Sequence, residues 1–220
     1  MNILRKIISV FTIIVLLSSC TFNATNKDNP EKTEYKVSGL VAGVTDDHLV
    51  LDSQLIITGT VKEIGKSKWS NPEFEKDMTR NILQTDIFVE IDKIFKGEPK
   101  TDTIAVRINK GEDEKYKIIS DGYPDFTIGE KVLLFLSLDE SDLKTDENYY
   151  VLSGMYQGKF VLNDSSSTTY ENCKNKKRVF EIEKLPQLIE ELHSKNPNYE
   201  EEKAKRQAEI IENNKKLFGE

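Results

Sequence analysis

The segment LQTDIFVEIDKIF at residues 83–95 alternates apolar and polar side chains over most of its length. In an extended chain successive side chains point to opposite faces, so this alternation is typical of a β-strand with one buried face. The face that we expect to be buried carries Leu83, Thr85, Ile87, Val89 and Ile91, and the opposite face carries Phe88, Glu90 and Asp92. The turn-forming sequence KGEP at residues 96–99 predicts that the strand ends there.

Similar runs occur on both sides of this strand. We expect further strands at residues 55–64, 103–108, 116–120, 131–138, 149–152, 159–162 and 168–170. The continuous apolar run VLLFL at residues 132–136 is typical of a strand that is buried on both faces. Short strands separated by turns predict an antiparallel barrel or sandwich, and we assign this β domain to residues 47–182. The side chains expected to point inward include Ile57, Val61, Ile87, Val89, Ile91, Ile104, Val106, Leu134 and Leu136.

The C-terminal segment, residues 183–220, has a helical pattern instead. Apolar residues recur at helical spacing at Leu185, Leu188, Ile189 and Leu192. They predict a helix that packs against the β core. A second helix is expected to begin at Asn196-Pro197 and to end at Phe218. Its apolar stripe is thin, so it is either solvated and loosely docked or a surface for a partner. The fold class is therefore mainly β, followed by two C-terminal α-helices.

The N-terminus resembles a bacterial lipoprotein signal peptide. Arg5 and Lys6 precede an apolar run at residues 7–17, and residues 17–20 read LSSC. The run is too short to cross a bilayer, which takes about 20 residues. We expect residues 1–19 to be removed and Cys20 to carry a diacylglyceryl group and a fatty acyl chain such as palmitate. These would anchor the protein to the extracytoplasmic face of the cell membrane. The alternatives are an ordinary secretory signal with a chance cysteine, or an uncleaved anchor.

The composition of the remaining chain fits an exported, tethered domain. Residues 21–36 are mostly Thr, Asn, Lys, Asp, Pro and Glu, so we expect a flexible tether over residues 20–46 and stable structure from about Asp47. The net charge is −7, and it becomes −9 when Arg5 and Lys6 leave with the signal peptide. A negative surface repels phosphates, so we expect no nucleic-acid partner and membrane attachment through the lipid alone. Cys173 has no intramolecular disulfide partner, because Cys20 is expected to be acylated.

The sequence contains no recognisable catalytic or metal-binding motif. His48 and His193 are its only histidines and lie far apart, and no CxxC or HExxH spacing occurs. The acidic residues 139–147 could hold a cation or form a solvated hairpin tip, but they lack the glycine and the spacing of an EF-hand. Cys173 lies beside Lys174, which would favour the thiolate if the sulfur is exposed; otherwise it is an unpaired surface thiol. We therefore predict no catalytic residue, no cofactor and no metal.

The loop between the first two long strands, residues 66–81, carries aromatic residues among charges. It contains Trp69, the only tryptophan of the chain, and Phe74. In small barrels of the OB type, the loop between strands 1 and 2 forms one wall of the usual ligand face. Trp69 and Phe74 are therefore our candidate ligand contacts. The alternative is that both rings fold back and cap the end of the barrel.

Three segments resemble known proteins. Residues 55–61 read LIITGTV, residues 88–97 read FVEIDKIFKG, and residues 126–136 read FTIGEKVLLFL. Together they resemble uncharacterised exported proteins of Gram-positive bacteria and, more distantly, the netrin-like OB barrels of the tissue inhibitors of metalloproteinases. The resemblance covers roughly residues 47–162 and implies an antiparallel OB-like β-barrel. The chain lacks the disulfide cysteines of the animal domains, and the N-terminal cysteine that chelates zinc in those inhibitors is matched here by Cys20, which we expect to be acylated.

These observations leave two main classes of function. The first, which we favour, is a non-catalytic binding module that is tethered through Cys20 and whose ligand is an envelope protein, a peptide or a glycan. The second is an envelope hydrolase that uses carboxylates such as Asp121, Asp125 or Glu130 for acid–base chemistry. The resemblance to metalloproteinase inhibitors adds a protease-inhibitor-like module as a third possibility.

Overall fold

The computed structural model describes residues 32–74, 81–141, 144–145, 147–163 and 166–218. The expected signal peptide and Cys20 lie outside the described residues. The structure is mainly β, with a closed five-stranded barrel and helices at the C-terminal end. At this level the predicted fold class is confirmed.

The secondary structure elements follow one another in this order. The strands are β1 (Thr33–Val37), β2 (Leu55–Ile64), β3 (Lys68–Trp69), β4 (Leu83–Lys96), β5 (Thr103–Ile108), β6 (Gly111–Glu112), β7 (Tyr116–Ser120), β8 (Lys131–Ser137), β9 (Tyr150–Leu152), β10 (Lys159–Leu162), β11 (Thr169–Asn172) and β12 (Val179–Glu181). The α-helices are α1 (Asp46–Asp52), α2 (Leu185–Lys195) and α3 (Tyr199–Phe218). Two short 3-10 helices span Pro72–Phe74 and Met155–Gly158.

The barrel closes through strands β2, β4, β5, β9 and β8, in that order, with β8 returning to β2. Four of the five pairings are antiparallel, but β5 and β9 are parallel, with Val106 opposite Tyr150. The expectation of a fully antiparallel barrel is therefore wrong at this pair. The reason is geometric, because an odd number of strands cannot alternate in direction around a closed ring.

Two hydrophobic cores lie on opposite faces of the barrel wall. The inner core contains Leu55, Ile57, Val61, Ile87, Val89, Ile104, Val106, Ile108, Phe126, Val132, Leu134, Leu136 and Leu152, with Ile91 packed against it. The predicted set of inward side chains is thus confirmed. Leu133 and Phe135 point outward into a second core, which α1, α2, β10 and β12 cover. This second cover explains why β8 is a continuous apolar run.

The expected tether contains structure that its composition did not indicate. β1 pairs in parallel with β7, and β6 joins the other side of β7 to complete a three-stranded sheet. All five residues of β1 are exposed, so main-chain pairing and surface contacts hold the strand rather than apolar burial. Helix α1 also begins one residue before the expected start of stable structure, with Thr45 as its N-cap. Within the described part of the chain, the first regular element therefore starts at Thr33 and not near Asp47.

The two C-terminal helices are present, and α3 docks at its first turns. Tyr199 packs into the second core, and its hydroxyl donates to Asp52 Oδ1 over 2.8 Å. Lys203 Nζ donates to the carbonyl oxygen of Asp52 over 3.2 Å. Further along, Gln207 Nε2 donates to Glu140 Oε2 over 2.8 Å, and the side chain of Ile211 is 56% exposed. None of the helices in the described part of the chain is long and apolar enough to cross a membrane.

Candidate functional site: a charged cleft beside the barrel

An open cleft of about 990 Å³ lies between the three-stranded sheet and the strands that extend from β8. One wall is the β6–β7 hairpin, the opposite wall is formed by β10, β11 and the turn after β11, and residues 121–130 contribute the rest. Charged side chains of both signs line it in equal numbers: Lys110, Lys117, Lys159, Lys174 and Lys176, with Glu112, Asp121, Asp125, Glu130 and Glu171. The cleft thus offers donors and acceptors around one opening.

Lys159 is a buried cation at this cleft. Its residue is only 1% exposed, and its ammonium group donates to Glu130 Oε2 and to the carbonyl oxygen of Asp125, each over 2.6 Å. The same group lies 4.2 Å from the centre of the Phe126 ring. An ammonium can leave water only if its protons find such partners. The pair fixes residues 125–130 against β10 and so shapes the cleft.

The rim of the cleft is built from ion pairs and main-chain contacts. Lys110 pairs with the exposed carboxylate of Asp125 at 2.5 Å, and Lys117 pairs with Glu34 of β1 at 2.7 Å. Lys174 donates to the carbonyl oxygen of Asp121 and lies 4.6 Å from the centre of the Tyr156 ring. These contacts are exposed, so each contributes little stability and each can exchange for a ligand contact.

Cys173 lines the cleft as a half-buried thiol. Its sulfur donates to the carbonyl oxygen of Tyr156 over 3.3 Å. Burial raises the pKa of the Cys173 thiol, and the positive charges of Lys159 and Lys174 oppose this shift without cancelling it. The sulfur therefore stays protonated at neutral pH, and the neighbouring lysines do not make it a thiolate.

The structure places Trp69 behind a wall of the cleft. Its indole nitrogen donates to Asp113 Oδ2 over 2.8 Å, and its ring meets the ring of Tyr116 edge to face at 5.8 Å. Both partners belong to the β6–β7 hairpin region, so Trp69 supports the wall from outside. Phe74 lies at the end of the 3-10 helix Pro72–Phe74, and its side chain is outside the described part of the structure. Contact of either residue with a ligand stays a prediction.

Asp113, which accepts the hydrogen bond from Trp69, lies in the turn between β6 and β7, and main-chain groups of this turn also bond to its carboxylate. The main-chain nitrogens of Lys115 and Tyr116 donate to Asp113 Oδ1 over 2.8 and 2.7 Å. Burial favours a higher pKa for Asp113, but the bonds from Tyr116, Trp69 and Lys115 outweigh it and lower the pKa. The carboxylate is therefore ionised at neutral pH and holds Trp69 by a charge-assisted hydrogen bond.

A second charged cluster, which the sequence did not indicate, joins the loop at residues 65–82 to the loop at residues 138–149. It consists of Lys68 on β3, Asp86 on β4, Arg107 on β5 and Glu147 in the second loop. We call this group the loop-joining cluster. None of its members lines the cleft.

The three carboxylates named for a hydrolase do line one cleft, but each has a different partner. Asp121 accepts from Ser38 Oγ over 2.9 Å, Asp125 pairs with Lys110, and Glu130 pairs with Lys159. Each of the three carboxylates is held by a different donor, and none of these contacts joins two of the carboxylates.

The structure also shows where the histidines and the acidic loop lie, which were the other candidate groups. Among the described residues no group of three or more His, Cys, Asp and Glu side chains is positioned to hold a metal ion. His48 lies in α1 and His193 in α2, and each ring contacts its own helix region. In the acidic loop, Asp139 accepts from the hydroxyl of Tyr149 over 2.7 Å, and Glu140 accepts from Gln207 over 2.8 Å.

No protein-family model matches this chain, and no curated protein matches it either. The candidate site therefore has to be interpreted from its own geometry.

Proposed function

We propose that this protein is a membrane-anchored, non-catalytic binding module of the cell envelope that holds a peptide, protein segment or glycan in the cleft. The observation that carries the proposal is the cleft itself. Its volume of about 990 Å³ is at the upper end of the range typical of ligand sites. Lysines and carboxylates line it in equal numbers, and the half-buried Tyr123 adds an apolar surface. This combination suits a polar ligand that presents both donors and acceptors.

The strand order supports an OB-type barrel as the scaffold of this module. Taken in chain order, the barrel strands β2, β4, β5, β8 and β9 are arranged as 1-2-3-5-4, with strand 1 paired to strand 4. OB barrels bind oligosaccharides and oligonucleotides on a common scaffold by varying their loops. The acidic net charge of this chain argues against an oligonucleotide, which leaves glycans and peptides.

The cleft proposal can be tested by site-specific photocrosslinking in cells that produce the full chain. A photoreactive residue is placed at Lys176, which is exposed beside the cleft, or at the exposed Lys205 of α3 as the matched control. We expect a discrete adduct from position 176 alone, and its loss when Lys174→Glu is added to the same chain. Equal adducts from both positions, or an adduct insensitive to Lys174→Glu, would contradict the proposal.

Anchoring through Cys20 is tested separately with the two cysteines of the chain. Cys20→Ala should either move the protein from the detergent phase to the aqueous phase in a phase-partition assay or leave a heavier, unprocessed precursor, and in both cases it should abolish labelling with radioactive palmitate. Cys173→Ala, the matched control, should change neither result, because that thiol lies in the folded domain. Unchanged partition and mass of the Cys20→Ala variant would contradict lipid anchoring.

A hydrolase is the second candidate, because Asp121, Asp125 and Glu130 line the same cleft as the buried Lys159. Asp125→Asn is the informative variant, since the Asp125 side chain is exposed and its loss spares the core. If the protein cleaves envelope glycans, this variant should release fewer new reducing ends while it still binds them. Glu130→Gln is less suitable, because it leaves the buried Lys159 uncompensated at a cost of about 3–5 kcal/mol.

A further inference from the structure

Arg107 is the fixed centre of the loop-joining cluster. Its side chain is only 1% exposed, and its Nε and Nη2 atoms donate to the two oxygens of Asp86 over 2.7 and 2.9 Å. The guanidinium carbon lies 3.7 Å from the centre of the Tyr149 ring, so the group is stacked as well as paired. Because Asp86 and Arg107 face each other in the register of β4 and β5, the barrel itself holds this pair in place.

Glu147 occupies the remaining side of the cluster, and its side chain is far more exposed than that of Arg107. Both of its carboxylate oxygens accept from Lys68 Nζ, over 2.9 and 2.6 Å, and Arg107 Nη2 also donates to it. Thr145 Oγ1 donates to Oε2 over 3.2 Å. Yet the Glu147 side chain is 54% exposed and comes from a loop, whereas Lys68 and Arg107 come from strands. Hydrogen bonds from Lys68 and Arg107 lower the pKa of Glu147 to about 2.

We propose that Lys68 and Arg107 form a carboxylate-binding subsite that Glu147 fills in the free protein, and that a carboxylate of the ligand replaces Glu147 there. Arg107, Lys68 and Asp86 together carry one net positive charge, so one carboxylate neutralises the groups in direct contact. Because Glu147 is half exposed, rotation of its side chain into solvent can vacate the position. The bidentate contact to Lys68 and the bond from Arg107 would then pass to the ligand. This goes beyond the proposed binding in the cleft, with which the subsite shares no residue.

The chemical class of ligand is thus a monocarboxylate, either an acidic side chain of a peptide or a sugar acid of a glycan. An intramolecular competitor acts at a millimolar effective concentration, so its removal should strengthen binding of an external carboxylate. We expect the full-length Glu147→Ala variant to bind at least tenfold tighter than the unmodified protein. Glu98→Ala, which removes an exposed charge in the β4–β5 turn, is the matched control and should leave binding unchanged.

Two pairs of probes distinguish the sources of the carboxylate by calorimetric titration. The peptide acetyl-Gly-Glu-Gly-amide is compared with its Gln counterpart, and methyl glucuronide is compared with methyl glucoside. Only the carboxylate member of a pair should bind, and it should shift the NMR signal of the Arg107 Nε–H group. Adding Lys68→Met to Glu147→Ala should weaken binding at least tenfold. The pair that responds identifies the source.

The proposal is overturned if Glu147→Ala binds neither carboxylate more tightly than the unmodified protein, or if Lys68→Met leaves the binding intact. If Glu147→Ala does not fold, Glu147→Gln keeps the side-chain volume and replaces it in the same titrations. Failure of both variants to fold would show that Glu147 is a structural clamp that no ligand can replace, and would also overturn the proposal. The cleft is tested separately, by crosslinking at position 176. The outcome of that experiment is therefore independent of the titrations of the subsite.

Discussion

The sequence predicts Trp69 as a ligand anchor, and in the structure its side chain contacts the β6–β7 hairpin region. The indole nitrogen bonds to Asp113 and the ring packs against Tyr116, so the side chain ties β3 to the hairpin that forms one wall of the cleft. A residue in this position can influence binding indirectly, by holding the wall. The contribution of the hydrogen bond and that of the ring contact can be separated by removing them in different variants.

We predict that Trp69→Phe lowers the free energy of unfolding by about 1 kcal/mol, because it keeps an aromatic ring near Tyr116 and loses the bond to ionised Asp113. Trp69→Ala should cost more, since it also removes the ring contact. Urea unfolding measures both, and crosslinking at position 176 is recorded in the same variants. Tyr35→Phe on the exposed strand β1 is the control and should change stability by less than about 0.5 kcal/mol.

If Trp69→Phe is as stable as the unmodified chain and crosslinking at position 176 is nevertheless lost, Trp69 takes part in binding beyond its support of the fold. If stability falls and crosslinking at position 176 survives, Trp69 supports the fold and is not needed for ligand binding in the cleft. Either result decides between the two interpretations that the loop sequence left open.

Strands β2 and β4 approach each other closely at Gly59. A Cβ atom at this position would lie 2.5 Å from the carbonyl oxygen of Glu90 and 2.7 Å from Val89 Cγ1. The register between the two strands shifts between Thr58 and Gly59, one of three such irregularities along this strand pair. A glycine is needed here for space, because the nearest atom is a main-chain carbonyl oxygen of the paired strand and not the end of a flexible side chain.

We predict that Gly59→Ala lowers the free energy of unfolding by about 1–3 kcal/mol, the usual cost of forcing a methyl group into a packed core. Gly43→Ala is the matched control, because no atom lies within 4 Å of its added Cβ. That change should be neutral or stabilise by up to about 1 kcal/mol through the unfolded state. Equal stabilities of the two variants, measured by thermal or urea unfolding, would contradict this account of the β2–β4 contact.

The elements that could be predicted from the sequence are those that apolar burial holds in place. The alternation in β4 and the apolar run in β8 identified both strands and assigned Val89 and Leu134 to the core. β1 could not be predicted in this way, because its five residues are all exposed and its pairing with β7 depends on main-chain hydrogen bonds. The same physics explains why α1 was missed, since it is short and its buried residues Leu49, Val50 and Leu51 are consecutive.

The sites of the whole molecule were less predictable than its strands. Alternation places Asp86 and Arg107 on the outer face of neighbouring strands, but nothing local indicates that Lys68 and Glu147 meet them there. The cleft draws its lining from residues 110–176, which belong to separate turns and strands without a common motif. Such sites depend on long-range register and loop paths, and a single sequence carries no periodic signal for either.

The C-terminal helix is attached to the rest of the molecule through a contact that is sensitive to alkaline pH. Burial and the hydrogen bond to Asp52 raise the pKa of Tyr199 to about 12, because both disfavour a phenolate beside a carboxylate. In the unfolded chain a tyrosine ionises near pH 10. A group whose folded pKa is raised contributes stability that is complete below the unfolded pKa and is lost as the pH rises through the folded pKa. The contribution of Tyr199 should therefore disappear between about pH 10 and 12.

We predict that the difference in unfolding free energy between the unmodified protein and Tyr199→Phe shrinks by about 2 kcal/mol between pH 9 and 12. Comparing the two proteins removes the effects of the other buried tyrosines, whose phenols ionise in both. Urea unfolding at each pH gives the difference, and proteolysis of α3 at pH 9 and 11 shows whether the helix is released before the barrel unfolds. Parallel stability curves for the two proteins across this range would mean that the Tyr199–Asp52 contact does not attach the helix. Earlier cleavage within α3 in the unmodified protein alone would identify the start of this helix as the least stable junction of the fold at alkaline pH.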